Sequence, residues 1–208
     1  MSEYFIPASS GEASYVEKRS EFIGHVKMVE TEDDAKAFIA EMKKKYYDAR
    51  HNCWCYVIKD GAVRYSDDGD PQGTAGIPML EVFKRESIEN VVCVVTRYFG
   101  GVLLGTGGLL RAYTKSAKDA LDAAGVAVVR RWMKLSLPCA YSLAERIKTE
   151  CAAFDGIVSD IEYGADVTLK ILIPEEKAQE FSLRITDVTA GTCKTEITGE
   201  EFMPVRIK

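Results

Sequence analysis

Apolar residues in the last third of the chain recur first with the period of a strand and then with that of a helix. Residues 134–140 alternate between apolar and polar, which predicts a strand. Apolar positions then recur at helical intervals and predict a helix through Leu143, Ile147, Cys151 and Phe154. Ser142, with Glu145 three residues later, predicts a capping box at its start, and Gly156 predicts its end.

The alternation continues towards the end of the chain. Residues 157–163 and 167–173 are predicted strands, with Gly164-Ala165-Asp166 as a hairpin turn between them. Pro174 occupies the favoured first position of a helix predicted through residue 187, and a last strand is predicted at 192–198. The order β-α-β-β-α-β is that of a ferredoxin-like unit.

The preceding part of the chain contains more elements. Its predicted strands lie at residues 13–18, 22–29, 52–58, 62–66, 91–96 and 126–131. Its predicted helices run from a Thr31 cap to Tyr46, from Ile77 to Arg85 and from Gly107 to Ala124. We therefore predict an α+β protein with one domain at residues 1–132 and a second at 133–208.

Composition narrows the class of protein. The chain has 208 residues, of which 47% are hydrophobic, and this is enough apolar material for a folded core. The net charge of −5 excludes a globally basic nucleic-acid binder, although a local basic patch stays possible. No apolar run is long enough to cross a membrane, and the N-terminus lacks the features of a signal peptide. Six irregularly spaced cysteines favour reduced thiols, so we expect a cytoplasmic protein.

A glycine loop (residues 100–108) separates a predicted strand from a predicted helix. It contains five glycines: Gly100, Gly101, Gly105, Gly107 and Gly108. Neither the dinucleotide-binding pattern nor the phosphate-loop pattern is complete here. Two interpretations stay open. The glycines form a tight turn that lets helix and strand approach closely, or they expose backbone N–H groups to an anion.

The helix after this loop carries two stripes. A buried stripe is predicted at Leu110, Tyr113, Ala117, Leu121 and Ala124. A basic stripe is formed by Arg111, Lys115 and Lys118, and Arg97 stands at the other end of the glycine loop. The basic stripe either binds a polyanion or is a solvated face on which Lys118 pairs with Asp122.

An acidic loop (residues 67–76, DDGDPQGTAG) follows a predicted hairpin. Its carboxylates Asp67, Asp68 and Asp70 could bind a divalent cation or act in acid–base catalysis, but their spacing does not match a calcium loop. The other interpretation is an acidic turn held by its own side chains and shaped by Pro71 and Gly73.

The segment HNCWCY at residues 51–56 places His51, Cys53 and Cys55 on one face of a strand. These side chains could hold zinc or provide a Cys–His nucleophile. We favour a buried strand in which both cysteines act as small hydrophobic residues, with His51 exposed at its start.

Three motifs resemble the signature of the YigZ/IMPACT family: HNCWCY, SDDGDPQGTAGIPML at 66–80 and VTRYFGGVLLGTGGLLRAY at 95–113. The resemblance implies a ribosomal protein S5 domain 2-like first domain. It also implies a ferredoxin-like second domain similar to the last domain of elongation factor G. A link to translation is implied as well, since the eukaryotic branch restrains a kinase of a translation initiation factor. The sequence departs from the family pattern at Asp70, where glutamate is usual, and at Cys55, where a small residue is common.

We expect a non-enzymatic protein that binds RNA or the ribosome, without a cofactor and without a membrane. The expected binding residues combine the glycine loop, the basic stripe and nearby polar groups: His51, Asp68, Thr74, Arg97, Tyr98, Gly100, Gly101, Gly105, Gly107, Gly108, Arg111, Lys115 and Lys118. The acidic second domain would repel RNA, so it is expected to meet a protein partner. The alternative is a metal-dependent hydrolase or phosphoryl-transfer enzyme that uses the acidic loop and His51.

Overall fold

The computed structural model describes residues 3–207. The chain divides into two compact units, Met1–Val129 with Pro204–Lys208 and Arg130–Met203. Residues 1 and 208, which bound the two predicted domains, lie outside the described residues. Both units combine helices with antiparallel strands, so the chain is of the α+β type.

The first unit is built on one antiparallel sheet in the order β2-β3-β6-β4-β5. Its elements are β1 (Tyr4–Pro7), β2 (Gly11–Glu17), β3 (Ser20–Met28), α1 (Glu32–Lys45), β4 (His51–Val57), β5 (Val63–Ser66), α2 (Gly76–Arg85), β6 (Val91–Tyr98) and α3 (Gly105–Ala124). Side chains of β6 alternate between two cores: Cys93 and Val95 pack with α2 and α3, whereas Val92 and Val94 pack with α1. The sheet is therefore covered on both faces.

Strand β6 is buried along almost its whole length, which explains its continuous apolar sequence. It extends two residues beyond the predicted strand, because Arg97 and Tyr98 continue the pairing with β3. The predicted Thr31 cap of α1 is confirmed, since Thr31 and Asp34 form a capping box.

Helix α3 begins at Gly105, two residues before the predicted start. The prediction that Leu110 is buried was wrong, because Leu110 is 45% exposed and Leu109 takes its place in the core. Leu109 lies four residues before Tyr113, so it continues the buried stripe of the helix.

The second unit has the predicted order β-α-β-β-α-β. Its elements are β7 (Val126–Cys139), α4 (Tyr141–Ala153), β8 (Ile157–Tyr163), β9 (Val167–Pro174), α5 (Glu175–Val188) and β10 (Glu196–Arg206). The first four residues of β7 and the last three of β10 belong to the first unit. Strand β7 pairs with β9 and with β10, and β9 pairs with β8, which gives the order β10-β7-β9-β8. Side chains of β7 and β9 pack against those of both helices in one core, among them Leu137, Leu169, Ile147 and Phe181.

Several predicted boundaries in this region were wrong. The strands predicted at 126–131 and 134–140 form the single strand β7, because no turn residue separates the two segments. Ser142 is not a cap, since α4 already begins at Tyr141 after Ala140. Pro174 precedes α5 as its N-cap instead of occupying its first position. The last strand starts at Glu196, because residues 192 and 193 turn back to bond Thr189.

Strand β1 was missed because four residues carry little periodicity. It pairs with the first residues of β7, Val126–Val129, within the first unit.

All six cysteines are free and buried, with Cys53, Cys55 and Cys93 in the first unit and Cys139, Cys151 and Cys193 in the second. Within residues 3–207 no helix has the length and apolar character needed to cross a membrane.

Candidate functional site

A cavity of about 410 Å³ opens in the first unit where β4, β6, the acidic loop and the start of α3 meet. Its wall includes His51, Asp70, Arg97, Phe99, Leu104 and Thr106. These residues come from four separate segments of the chain, so the sheet and α3 bring together what the sequence keeps apart.

The acidic loop is held in shape by its own first carboxylate. Asp67 Oδ1 accepts hydrogen bonds from the N–H groups of Ala75 at 3.0 Å and Gly76 at 2.8 Å, and Oδ2 accepts one from Gly73 at 2.9 Å. This confirms the interpretation of the loop as a side-chain-stabilised acidic turn. Both oxygens of the Asp67 carboxylate are therefore engaged by backbone donors.

Asp68 joins the acidic loop to the start of β4. Its Oδ2 accepts from Asn52 N–H at 2.7 Å and its Oδ1 from Lys43 Nζ at 2.6 Å. The Asp68 carbonyl oxygen lies 2.8 Å from His51 Nδ1. A carbonyl can only accept, so Nδ1 carries the proton and Nε2 points the other way. Asp68 therefore fixes the tautomer and orientation of His51.

Asp70 lies at the centre of the site, with a side chain only 2% exposed. Its Oδ1 lies 2.5 Å from Arg97 Nη1 and 3.4 Å from His51 Nε2, and its Oδ2 accepts from the Tyr113 hydroxyl. A buried carboxylate needs such partners. Asp70 was missing from the expected binding residues. The signal available in the sequence was the arginine at the end of an apolar strand, which needs a buried counter-charge.

Behind Asp70, the Cys53 thiol lies 2.9 Å from the Asp67 carbonyl oxygen and 3.3 Å from Tyr113 Oη. Burial raises the pKa of Cys53 well above its ordinary value, and it raises the pKa of Tyr113 in the same way. Because both groups stay protonated at neutral pH, Cys53 is not the thiolate that a Cys–His nucleophile requires. The favoured reading of both cysteines as buried hydrophobic residues is confirmed.

In the glycine loop, the backbone at Gly100 lies so close to that of Arg19 that a side chain does not fit. A Cβ on Gly100 would lie 2.0 Å from the Arg19 carbonyl carbon, and the Gly100 N–H donates to Ser20 Oγ at 3.1 Å. Gly101 and Gly105 have φ angles of +82° and +71°. The tight-turn interpretation is therefore confirmed for this half of the loop.

Gly105, Gly107 and Gly108 lie in the first turn of α3. The N-cap residue, Leu104, provides no side-chain hydrogen bond to the helix. Gly105 and Thr106 border the cavity, so the uncapped helix start faces the same space as Arg97.

The predicted basic stripe is largely neutralised by its own neighbours. Lys115 pairs with Asp119 at 2.7 Å, and Lys118 pairs with Asp122 at 2.7 Å and Glu86 at 2.5 Å. For these two lysines the solvated-face interpretation is confirmed.

Two arginines differ from these lysines. Arg97 is buried against Asp70 instead of lying at the surface. Arg111 is exposed and forms no ion pair with any residue from 3 to 207, and its Nη1 lies 3.6 Å from the place where a Cβ on Gly107 would be.

The remaining expected residues are distributed around the site. Thr74 is buried and its hydroxyl donates to the Pro71 carbonyl at 2.6 Å, so it supports the acidic loop. Tyr98 donates to Asp48 at 2.8 Å, and this bond raises the pKa of Tyr98 to about 12. Neither Thr74 nor Tyr98 borders the cavity.

Of the expected set, the structure thus brings His51, Arg97 and Gly105 to the cavity wall. Sequence reasoning missed Arg50, Asp70, Phe99, Leu104 and Thr106. In the described part of the chain, no group of three or more His, Cys, Asp or Glu side chains is arranged to hold a metal ion.

Two known domain families match this chain. The model of the Impact N-terminal domain matches residues 18–121, and that of a domain of unknown function, DUF1949, matches residues 137–192. The chain belongs to the IMPACT family. The cavity lies wholly within the segment that matches the Impact N-terminal domain.

Relatives in the IMPACT family extend over most of the chain. It is 40% identical over 191 residues to IMPACT family member YvyE of Bacillus subtilis, which covers 90% of this chain and 88% of the relative. It is 33% identical over 196 residues to IMPACT family member YigZ of Escherichia coli, with coverage of 92% and 96%. A match to Protein IMPACT of Rattus norvegicus has 32% identity over 106 residues, 48% of this chain and 33% of that protein.

A solved structure described as the crystal structure of a hypothetical protein is also similar. It aligns with a TM-score of 0.60 at 32% sequence identity and covers 96% of this chain and 98% of its own. The predicted resemblance to the IMPACT family is therefore confirmed.

Proposed function

We propose that this IMPACT family member is a non-enzymatic, translation-associated protein that binds RNA or the ribosome through the cavity face of its first unit. Family membership supports the translation part of the proposal, because the family also contains eukaryotic IMPACT proteins. Within this proposal the domains are residues 1–132, of the S5 domain 2-like type, and 133–208, of the ferredoxin-like type. The strand order β10-β7-β9-β8 supports the second assignment.

The observation that carries the binding proposal is the presence of two unpaired arginines, one at the cavity wall and one on α3. Arg50 borders the cavity, and Arg111 lies beside the first turn of α3. Neither forms an ion pair with another described residue. An exposed guanidinium without a carboxylate partner is available to a phosphate oxygen, which it binds in a bidentate manner.

This arrangement changes which cations of the predicted set contribute. Lys115 and Lys118 are already paired with carboxylates, so a phosphate would have to displace those partners. Arg97 is paired with Asp70, and its charge is balanced within the protein. The proposal therefore rests on Arg111 and Arg50 instead of on the full basic stripe.

The second unit contributes differently within the proposal. Residues 132–208 contain 9 Lys and Arg against 13 Asp and Glu, a net charge of −4. Such a surface repels a polyanion. The second domain is therefore assigned to a protein partner, and RNA contacts are confined to the first.

The test is binding of the purified full chain to ribosomes and to total RNA at about 50 and 200 mM salt, where counterion release is visible. We expect the affinity of the unmodified protein to fall with salt, by about 0.7 in the logarithmic slope for each contacted phosphate of a single strand. Arg111→Glu should abolish most of this binding.

Lys194→Glu is the matched control, because Lys194 is exposed in the second unit and undergoes the same change of charge. It should bind like the unmodified protein. Absence of binding, binding that ignores salt, or equal losses in both variants would refute the proposal.

A further inference from the structure

Arg97 carries a buried donor that the protein does not use. Its side chain is only 7% exposed, and Asp70 holds Nη1 at 2.5 Å. Nε has no hydrogen-bond partner within the described residues. An unpartnered buried donor is unfavourable, so the Arg97 guanidinium gains from an acceptor that comes within its reach.

The orientation of Arg97 is fixed by aromatic rings. Its guanidinium carbon lies 5.7 Å from the Phe22 ring centroid and 5.8 Å from that of Phe99. Together with the Asp70 contact, these rings hold the guanidinium at the cavity wall. The Arg97 guanidinium is therefore preorganised at the cavity wall.

The free polar groups of the cavity are mainly donors. The acceptor oxygens of Asp70 are already used by Arg97 and Tyr113. Thr106 has a hydroxyl without a hydrogen-bond partner in residues 3–207, at the start of a helix of 20 residues that lacks a side-chain cap. Arg50 adds an unpaired positive charge at the same wall. A cavity of this polarity selects an anionic group.

Another part of the wall, beside Arg97, is apolar. Phe99 is 41% exposed and Leu103 81% exposed, and both border the cavity together with Leu104 and Leu109. An exposed aromatic ring next to a fixed cation is suited to stacking a planar group such as a nucleobase.

The size of the cavity limits the ligand. At about 410 Å³ it lies within the range of small-molecule sites. It can accept one nucleotide whose base has left the stack, but a base held in a duplex cannot reach the Phe99 ring.

From these observations we infer that the cavity binds a single unstacked nucleotide, with its phosphate on the Arg97–Thr106 side and its base against Phe99. This inference rests on the proposed function, because it names the ligand class of the same site. The nucleotide unit comes either from single-stranded RNA or from a free nucleoside 5′-monophosphate, and the experiment separates these sources.

The experiment is calorimetric titration of the full chain with five ligands at about 50 mM salt. They are a mixture of the four nucleoside 5′-monophosphates, ribose 5-phosphate, a single-stranded RNA of mixed sequence, its complement, and the duplex of the two strands. We expect single strands to bind at least tenfold more tightly than the duplex, and ribose 5-phosphate to bind more weakly than the nucleotides.

Binding of free nucleotides as tight as that of the single strands identifies the free nucleotide as the ligand. Tighter binding of the strands identifies RNA. Equal affinity for duplex and single strand, or for ribose 5-phosphate and nucleotide, would overturn the inference.

Substitutions at two positions locate the site without altering its charge. Phe99→Leu keeps an apolar side chain but removes the stacking ring, and we expect about a tenfold loss of affinity for single strands. Thr106→Val should weaken binding severalfold, whereas Thr106→Ser, which keeps the hydroxyl, should not.

These variants also separate the inference from the proposed function. If Phe99→Leu binds normally while Arg111→Glu does not, RNA binds elsewhere on this face, so the inference fails and the proposed function stands. If nucleotides bind in a Phe99-dependent way but ribosomes and RNA do not, the cavity site stands and the proposed function fails.

Discussion

The acidic loop and the glycine loop face the same cavity, but they satisfy their polar groups in opposite ways. In the acidic loop, Asp67 binds three backbone N–H groups, and the Thr74 hydroxyl binds a backbone carbonyl. In the glycine loop, the Gly100 N–H has a side-chain partner, but the helix that begins at Gly105 has no side-chain cap.

This difference shows that abundance of reactive side chains is a poor guide to a binding surface. The acidic loop contains the residue types that bind metals and protons, yet its carboxylates are used to hold the loop and its neighbours. The glycine loop has almost no reactive side chains, yet it shapes a wall with unused donors and exposed apolar side chains. Substitutions in the two loops, and at one lysine outside them, test this contrast from the largest expected effect to the smallest.

Replacement of Asp67 should have the largest effect, if the acidic loop is a structural element. Asp67→Ala removes the acceptor of three N–H groups, so we expect the free energy of unfolding to fall by about 3–4 kcal/mol. Urea unfolding followed by circular dichroism measures this change. Asp67→Asn, which keeps one acceptor oxygen, should lose about half as much. A loss below about 1 kcal/mol for the alanine variant would show that the loop does not depend on this carboxylate.

The glycine loop should respond according to position. Gly100→Ala places a methyl group against the backbone of Arg19, and we expect a loss of about 2–3 kcal/mol. Gly101→Ala has open space within 4 Å but requires a φ of +82°, so the expected loss is about 1 kcal/mol. The same unfolding measurement compares the two variants. Equal stabilities would mean that the close approach at Gly100 relaxes without effect.

The smallest effect is expected for a lysine outside both loops. Lys118→Gln removes partly exposed ion pairs with Asp122 and Glu86, which together contribute about 0.5 kcal/mol. It should leave the salt dependence of RNA binding unchanged, because Lys118 is already paired. A clear reduction of the salt slope in the binding assay would contradict this prediction and show that Lys118 contacts a phosphate.

Local patterns predicted the elements whose signals are complete within a few residues. The Thr31–Asp34 capping box and the continuous apolar run of β6 are examples. The start of β10 and the continuity of β7 were not predictable in this way, because they depend on which partner strand supplies hydrogen bonds. Such pairing joins residues far apart in the chain, and sequence periodicity does not record it.

The same limit applies to the cavity. The sequence pointed to Arg97 and His51 by their place next to strand ends, but it did not show that both converge on Asp70. The spacing of Lys115 with Asp119 and of Lys118 with Asp122 was visible in the sequence, but the contact of Lys118 with Glu86 was not. Burial and partner choice are properties of the folded chain, whereas charge and spacing are properties of the sequence.

The six buried cysteines allow the opening rate of each unit to be measured by thiol labelling. Alkylating reagents attack the thiolate, and burial raises the pKa of Cys53 in the first unit and that of Cys151, to about 11, in the second. Labelling therefore has to wait for the surrounding unit to open. Mass spectrometry of the labelled peptides would record two opening rates from one unmodified sample, and would show whether the halves of the chain open together or separately.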